Sequence, residues 1–291
     1  MNTESQPCRA DRPLGGGPEM SYVYAIGRVD EPTLRDLVAR LTGVDGRPLR
    51  LVDAAGLEAV VSSVPSGPFG EQGLREQLED MARLEEVARS HHAVVDAATA
   101  EATVLPMRLA TVYLDDARAG EMLTAHQGRF LNLLERLDGH VELGLKVYVD
   151  TLAVTPPKTE AEAEAASAAA SPGRAYLQRR RAQRRSVQDL YRVAAGTAEE
   201  AVRVAEGLSR ARAVHRPQQG ELAAARGENI ANEAYLVPAA EVGRFVSELG
   251  SLADAAPGVH IEVTGPWAPY SFATTIDETY ETYGTEEGVT R

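Results

Sequence analysis

The chain has 291 residues and a formal net charge of −13, from 30 basic and 43 acidic residues. This length suits two domains, and the acidic balance disfavours nucleic acid and anionic membranes as partners, because both require a basic surface. Cys8 is the single cysteine, which excludes an intrachain disulfide and a cysteine-based zinc site and favours a cytoplasmic protein. Residues 1–20 lack the apolar run of a secretory signal, and no stretch approaches the about 18 apolar residues of a membrane span.

The first half of the chain alternates strand and helix signals. Runs of β-branched and aromatic residues predict strands, and apolar residues three and four apart predict helices. In chain order these are a strand at 22–27, a helix from Pro32 to Gly43, strands at 49–53 and 57–64, a long helix from Leu74, a β-rich segment at 104–113 and a helix over 116–137. The order predicts a ferredoxin-like layer, which the last helix connects to the second half of the chain.

The second half repeats this order if a weak strand lies near 218–225. Alternating apolar and polar residues predict a strand over 141–150. The other predicted elements are a long helix over about 174–212 and, after the weak strand, a strand at 230–237, a helix at 239–252 and a strand at 259–264. Apolar residues of the long helix keep a 4-3 spacing from Val187 to Ala211, so we expect that face to pack on the protein's own sheet.

These elements predict an α+β protein with two domains. The first is an N-terminal α/β domain over 21–139, and the second is a C-terminal ferredoxin-like domain over 140–273 that contains the long helix. Within the second domain, the Ala-, Glu- and Ser-rich segment 153–173 predicts a linker. Residues 1–20 and the acidic residues 274–291 are expected to form disordered tails.

Searches for catalytic signatures indicate that the chain is not an enzyme. The sequence contains no GxGxxG, GxxxxGK[ST], HExxH or GxSxG motif, and Cys8 has no histidine near it in sequence. His92 and Asp96 have the i, i+4 spacing of two metal ligands on one helix, but no third ligand can be named. We therefore expect His91 and His92 to be structural residues that pack or hydrogen-bond at a domain interface, and we expect neither a metal nor a cofactor.

The strongest charge feature is the arginine run of the long helix. Arg179, Arg180, Arg184 and Arg185 lie within seven residues of one another, with Arg181 between them. They form either a contact surface for an acidic partner or a solvated helix face. Nucleic acid is a poor fit, because few aromatic residues interleave with these arginines. We interpret the four residues as a partner-binding surface.

Two further segments contain residues that we expect to be structural. Arg108 follows Pro106 in an apolar segment, so a buried Arg108 would need a carboxylate partner, for which the preceding helix offers Glu85, Glu86 or Asp96. Near the end of the chain, Trp267 and Tyr270 lie in a Pro-rich segment. Aromatics are scarce in this chain, so this segment is either an anchor of the C-terminus or an exposed binding patch. We favour the anchor and expect a buried Trp267.

Several of these segments together carry a resemblance to a known family. They are YVYAI at 22–26, SHHAVV at 90–95, VLPMR at 104–108, GLKVY at 144–148, GRAYL at 173–177, NEAYLV at 232–237, GPW at 265–267 and PYSF at 269–272. In this order they resemble the gas vesicle protein F/L family of gas vesicle assembly proteins, over residues 21–273. The family usually has Phe-Gly-Thr where this chain has Leu109-Ala110-Thr111, and Pro where it has Ala268.

The resemblance implies a two-domain α+β protein whose C-terminal half is ferredoxin-like. It implies a non-enzymatic role in gas vesicle assembly, through contacts with the shell protein and other accessory proteins, in the cytoplasm and at the vesicle. The alternative is a ligand-binding sensor or enzyme built on paired ferredoxin-like domains, since such folds often hold ligands between sheet and helices.

Overall fold

The computed structural model describes residues 18–29, 32–151, 172–217 and 227–273. Over these residues the protein is α+β and divides into two compact units, Met1–Glu135 and Arg136–Arg291. The unit boundary lies at residue 135, whereas the predicted domain limit lies at residue 139. Most of the two predicted tails and of the predicted linker falls outside the described residues.

The N-terminal unit contains five strands and six helices among its described residues, the last helix crossing the unit boundary. They are β1 (Glu19–Arg28), α1 (Pro32–Arg40), β2 (Leu49–Ala54), β3 (Leu57–Pro65), α2 (Ser66–Phe69), α3 (Glu71–Glu79), α4 (Met81–Glu101), β4 (Leu105–Pro106), β5 (Val112–Tyr113), α5 (Asp116–Ala125) and α6 (Gln127–Leu137). The first strand starts at Glu19, two residues earlier than the predicted start of order at residue 21.

The sheet of the N-terminal unit is antiparallel with the strand order β2-β3-β1-β4, and β5 also pairs with β1. Pro106 lies opposite Ala25 in the short strand β4, at the end of this order, where a residue without an amide hydrogen is tolerated. The central strand β1 is buried from Ser21 to Gly27. Its burial is explained by α4, which covers one face, and by α5, which packs on β1, β2 and β3 at the other.

A two-residue turn joins β2 to β3. Ala55 and Gly56 both have positive φ angles, 54° and 78°. Two left-handed residues in succession form a type I′ turn, whose twist matches that of the flanking strands. The turn therefore fixes the register in which Ala54 pairs with Leu57.

Both long helices predicted in this unit are interrupted. Asp80 separates α3 from α4 and caps α4, because its carboxylate accepts hydrogen bonds from the amides of Ala82 and Arg83. The predicted helix over 116–137 is broken at His126, whose φ and ψ of −110° and 13° end α5. The first prediction was wrong because a side-chain cap starts a new helix without the Gly or Pro that marks most breaks in sequence. At His126 the break lies in the backbone dihedrals alone.

Ala110 has a positive φ of 64°, at the position where the resemblance places a glycine. The left-handed region costs a residue with a Cβ roughly 1 kcal/mol. We therefore expect Ala110→Gly to raise the free energy of unfolding by about 0.5–1 kcal/mol, partly offset by the greater freedom of glycine in the unfolded chain. Urea unfolding would measure the change, with Ala100→Gly, inside α4, as a control that should have the opposite sign.

The C-terminal unit has four strands and three further helices among its described residues. They are β6 (His140–Val149), α7 (Pro172–Gly207), β7 (Ala211–Val214), β8 (Glu228–Pro238), α8 (Val242–Asp254), β9 (Val259–Trp267) and α9 (Tyr270–Ala273). Its antiparallel sheet has the order β7-β8-β6-β9. The order of strands and helices, βαββαβ, is that of ferredoxin-like folds, and the strand order second-third-first-fourth is the same in both units.

The core of the C-terminal unit lies between this sheet and the helices α7 and α8. It contains alternate residues of β6, from Leu143 to Val149, together with Tyr235, Phe245 and residues of α7 between Leu190 and Leu208. Because successive side chains of a strand point to opposite faces, Glu142 lies on the face away from these helices.

The long helix ends earlier than predicted. It stops at Gly207, and Ala211, the last residue of the predicted apolar face, belongs to β7, which pairs with Leu236–Glu233 of β8. Gly207 is therefore the last residue of the helix. The weak strand predicted near 218–225 lies outside the described residues, and β7 occupies its place in the strand order.

Candidate functional site

The first half of α7, residues 172–189, extends beyond the core, and we call it the arginine arm. Among the described side chains of α7, buried residues begin at Leu190. The side chains of Arg180, Arg181, Arg184 and Arg185 are exposed. Arg179, also predicted to bind a partner, lies in the same helix, but its side chain is outside the described part. The structure thus brings the predicted arginines onto one stretch of helix that the sheet does not cover.

The arginine arm differs in charge from the other helices. Several exposed arginines elsewhere pair with a carboxylate three or four residues away on the same helix. These pairs are Arg75–Glu71, Arg89–Glu85, Arg118–Glu121, Arg192–Asp189, Arg203–Glu200 and Arg244–Glu248. In the arm, six arginines occur from residue 172 to residue 188 without any Asp or Glu. Like charges this close repel one another, so an anion supplied from elsewhere would be attracted strongly.

A second polar cluster holds the end of the described chain. The buried carboxylate of Glu142 accepts hydrogen bonds from the backbone amide of Ser271, at 2.8 Å, and from its hydroxyl, also at 2.8 Å. Burial raises the pKa of Glu142, and the two hydrogen bonds from Ser271 oppose that effect. This contact fastens α9 to the first strand of the C-terminal unit, across the face that the long helix does not occupy.

His215 completes this cluster, with its Nε2 atom 3.1 Å from the Ser271 Oγ atom. A serine hydroxyl has one proton, and Glu142 receives it when ionised, so His215 must donate to Ser271 instead of accepting from it. A nucleophilic serine requires the opposite, because the histidine has to take the proton. The cluster therefore has the hydrogen bonding of a structural contact and not that of a catalytic triad.

Trp267 is not the buried anchor that the sequence predicts. Its side chain is 53% exposed, and its Nε1 atom donates to Thr264 Oγ1 at 3.2 Å. The buried residues of the segment are Ala268, Pro269 and Ala273, while Tyr270 is half-buried. The prediction failed because the indole lies near the end of the edge strand β9, where one side of the strand has no neighbour in the sheet order.

His91 is buried within the N-terminal unit and makes the packing and hydrogen-bond contacts expected of a structural residue, whereas His92 is exposed. His91 Nε2 lies 3.1 Å from the Met107 carbonyl and therefore carries the hydrogen. Its Nδ1 atom accepts from the hydroxyl of Tyr22, which in turn accepts from the Ala110 amide. Burial, reinforced by the nearby His92, lowers the pKa of His91 to about 4, so the ring is neutral.

The described residues contain no group of three or more His, Cys, Asp or Glu side chains placed to hold a metal ion. Over the same residues, none of the helices is both long enough and apolar enough to span a bilayer.

Arg108 does not make a buried ion pair of the kind that the sequence suggested. Its side chain is exposed, and Glu85 and Glu86 pair with Arg89 and Arg83 instead. The contribution of Arg108 to the fold comes from its carbonyl, which accepts hydrogen bonds from the amide and hydroxyl of Thr111. A buried charge would require compensation, and exposure removes that requirement.

The sequence prediction missed a partly buried ion pair at the edge of the second sheet. Arg212 of β7 binds Glu233 of β8 through two nitrogens, at 2.7 and 2.9 Å, and also reaches Glu206 of α7 at 2.8 Å. The hydroxyl of Tyr235 donates to the same Glu233 carboxylate, and burial together with this bond raises the pKa of Tyr235. The available signal was the acidic residue Glu233 within the strand predicted at 230–237.

An equivalent contact holds α5 to the first sheet. Arg50 of β2 binds both carboxylate oxygens of Asp116, at 2.6 and 2.9 Å, and Ser21 also donates to Asp116. The hydrogen bonds from Arg50 lower the pKa of Asp116. Asp116 lies in the first turn of α5, where a carboxylate is also favoured by the helix dipole.

Comparisons with known proteins cover nearly all of the described chain. A family model described as gas vesicle synthesis protein GvpL/GvpF matches residues 20–274. Gas vesicle protein L of Streptomyces sp. (strain CB03234) is 39% identical, over 89% of this chain and 94% of that protein. Gas vesicle protein F of the same strain is 29% identical, over 87% and 98%. The crystal structure of the gas vesicle protein GvpF from Anabaena sp. PCC7120 has a TM-score of 0.60 at 19% identity, over 88% and 96%, which is a similarity of fold.

Proposed function

The chain belongs to the GvpL/GvpF family of gas vesicle synthesis proteins, and we propose that it acts in gas vesicle assembly as a non-enzymatic accessory protein. In this proposal it contacts the vesicle shell protein and other accessory proteins, in the cytoplasm and at the vesicle. The observation that carries the proposal is the family match over residues 20–274, which includes both βαββαβ units. The proposed role involves no cofactor, nucleic acid or membrane.

The arginine arm is the surface that we assign to these contacts. Exposed Arg180, Arg184 and Arg185 are not matched by carboxylates of their own helix segment, and a partner with acidic side chains would relieve their mutual repulsion. One surface ion pair contributes only about 0–1 kcal/mol, so several arginines have to act together. The arginines of the arm lie outside the core, because the buried side chains described for α7 start at Leu190. A partner can therefore bind them without disturbing the core.

The alternative, a ligand-binding sensor or an enzyme, gains no support from the polar clusters. The contact between Ser271 and His215 is oriented against nucleophilic catalysis, because the serine proton is directed to Glu142. Arg212 and Arg50 are engaged by carboxylates of the protein itself, so neither is directed towards a ligand.

Neutralising the arm should weaken partner binding without unfolding the protein. In a variant with Arg179, Arg180, Arg184 and Arg185 all changed to Gln, we expect the affinity for the shell protein or an accessory protein to fall about tenfold or more at low salt. The reason is that a few surface ion pairs together amount to about 1.4 kcal/mol, which is a factor of ten. Pull-down of the purified partners by the immobilised full chain, at low and high salt, would measure the change.

A matched control separates the location of the charges from their number. Changing Arg75, Arg89, Arg118 and Arg203 to Gln removes the same four charges from exposed helix positions that already have carboxylate partners. This control should bind partners like the unaltered chain, and the difference between the two variants should shrink at high salt. Equal binding by the arm variant and the unaltered chain at low salt would contradict the assignment of the arm. Failure of the unaltered chain to retain any gas vesicle protein would contradict the proposed function itself.

A further inference from the structure

The chain's own sequence contains a segment whose charge is opposite to that of the arginine arm. The 18 residues after the last described helix, 274–291, contain five acidic residues and a single arginine. The acidic residues are Asp277, Glu278, Glu281, Glu286 and Glu287. We call residues 274–291 the acidic segment. Its charge is complementary to that of the arm, and the two would attract each other wherever they can meet.

The arm and the start of the acidic segment lie at opposite ends of the second sheet. The backbone amide of Arg210, just after α7, donates to the carbonyl of Leu236, which pairs with Glu142. Glu142 also holds Ser271, so α9 and the C-terminal end of α7 lie at the same end of the sheet. The other end of the sheet lies near Tyr191, whose hydroxyl donates to Glu228. The arm extends beyond that end.

Chain geometry limits contact within one molecule. With a rise of about 1.5 Å per residue, Arg185 lies about 33 Å along α7 from Gly207, and Arg180 lies about 40 Å from it. A fully extended chain advances at most about 3.6 Å per residue, so Glu281 can move no more than about 29 Å from Ala273. Asp277 and Glu278, at most about 18 Å from Ala273, therefore cannot reach the arm of their own molecule. Glu281 reaches it only with the segment extended, so contact within one molecule engages only the later carboxylates of the acidic segment.

A second copy has no such limit, and we propose that the acidic segment of one molecule binds the arginine arm of another. The contact is electrostatic, between up to five carboxylates and the exposed guanidinium groups, and each guanidinium can donate two hydrogen bonds to one carboxylate. Because the two surfaces differ, the interface is heterologous. Molecules therefore associate head to tail, and the series closes only where the last arm meets the first acidic segment. It does not depend on any gas vesicle partner.

Analytical ultracentrifugation of the purified full chain tests this proposal. At an ionic strength of about 0.01 M, where the Debye length is about 30 Å, the chain should self-associate as its concentration rises. At about 1 M, where the Debye length is about 3 Å, the association constant should fall at least about tenfold. A chain that stays monomeric across the concentration range at low salt would overturn the proposal.

Two variants identify the surfaces, and their mixture tests the geometry. The arm variant described above removes one surface, and a segment variant with Asp277→Asn and the four glutamates changed to Gln removes the other while keeping the chain length. Each variant alone should be monomeric at low salt. An equal mixture should form a one-to-one dimer and nothing larger, because the arm comes from one variant and the acidic segment from the other.

Three results would refute the head-to-tail contact. The first is a segment variant that associates as strongly as the unaltered chain. The second is a mixture of the two variants that does not combine. The third is loss of association when Glu160, Glu162 and Glu164 are changed to Gln with the acidic segment intact, since the arm would then be bound by the predicted linker. None of these outcomes bears on partner binding, so this proposal and the proposed function can fail separately.

Discussion

Replacing Arg212 with alanine should destabilise the C-terminal unit by about 1–3 kcal/mol. The substitution leaves the carboxylate of Glu233, whose side chain is only 7% exposed, without its bidentate partner. Removing the partner of a buried carboxylate is costly because the remaining charge loses its compensation. Arg212 also contacts Glu206, so the end of α7 loses a contact with β7 in the same variant. Urea unfolding of the full chain would measure the loss.

Two further variants show whether the buried charge is the cause. Arg203→Ala removes an exposed pair with Glu200 on the same helix and should change stability much less. Glu233→Gln, added to Arg212→Ala, should recover part of the lost stability. The reason is that a neutral amide costs less to bury than a carboxylate and still accepts from Tyr235. A loss in Arg212→Ala no larger than that in Arg203→Ala would show that Glu233 finds compensation elsewhere.

Lowering the pH should destabilise the N-terminal unit through His91. In the folded protein the pKa of His91 is lowered from 6.5 to about 4 by burial, so between these pH values the unfolded chain binds more protons than the folded one. The free energy of unfolding therefore falls as pH decreases from about 6.5 to about 4. A shift of this size corresponds to about 3 kcal/mol, and the stabilisation is fully present above pH 6.5.

Histidine titration by NMR and urea unfolding at several pH values would test this together. His91 should keep the signals of a neutral ring with hydrogen on Nε2 down to about pH 5. Carboxylates also affect acid stability, so the informative quantity is the difference between the unaltered chain and His91→Gln. His92→Gln provides the neighbouring control. A His91 ring that becomes charged near pH 6.5 in the folded protein would disprove the buried neutral state.

Most of the fold is predictable because its strands carry local patterns. The β-branched and aromatic run around Tyr24 predicts the central strand β1, and the alternation from Leu143 to Val149 predicts β6. Helix interruptions were missed because the apolar spacing continues across Asp80 and His126, and only the folded backbone shows that a cap or a changed dihedral intervenes. The strand β7 was missed because it is four residues long and follows a helix with a regular apolar face.

The side-chain clusters were less predictable than the strands, since they depend on register. Glu233 meets Arg212 because β7 pairs with β8 in one particular alignment, which no short motif specifies. Trp267 was expected to be buried because large aromatics usually are, but its place at the end of an edge strand decides its exposure. The arginine arm could be predicted because a run of arginines is visible in the sequence whatever the alignment of the strands. That this run extends beyond the core is seen only in the structure.

The contact between Ser271 and Glu142 can form only late in synthesis, so the two units can complete their folding at different times. The last strand of the N-terminal unit ends at Tyr113, whereas β9 ends at Trp267 and the contact of Ser271 follows it. About 150 residues separate these two points, which a ribosome adding roughly 5–20 residues per second needs roughly 8–30 s to translate. The N-terminal unit can therefore fold while β6 still lacks its neighbour β9.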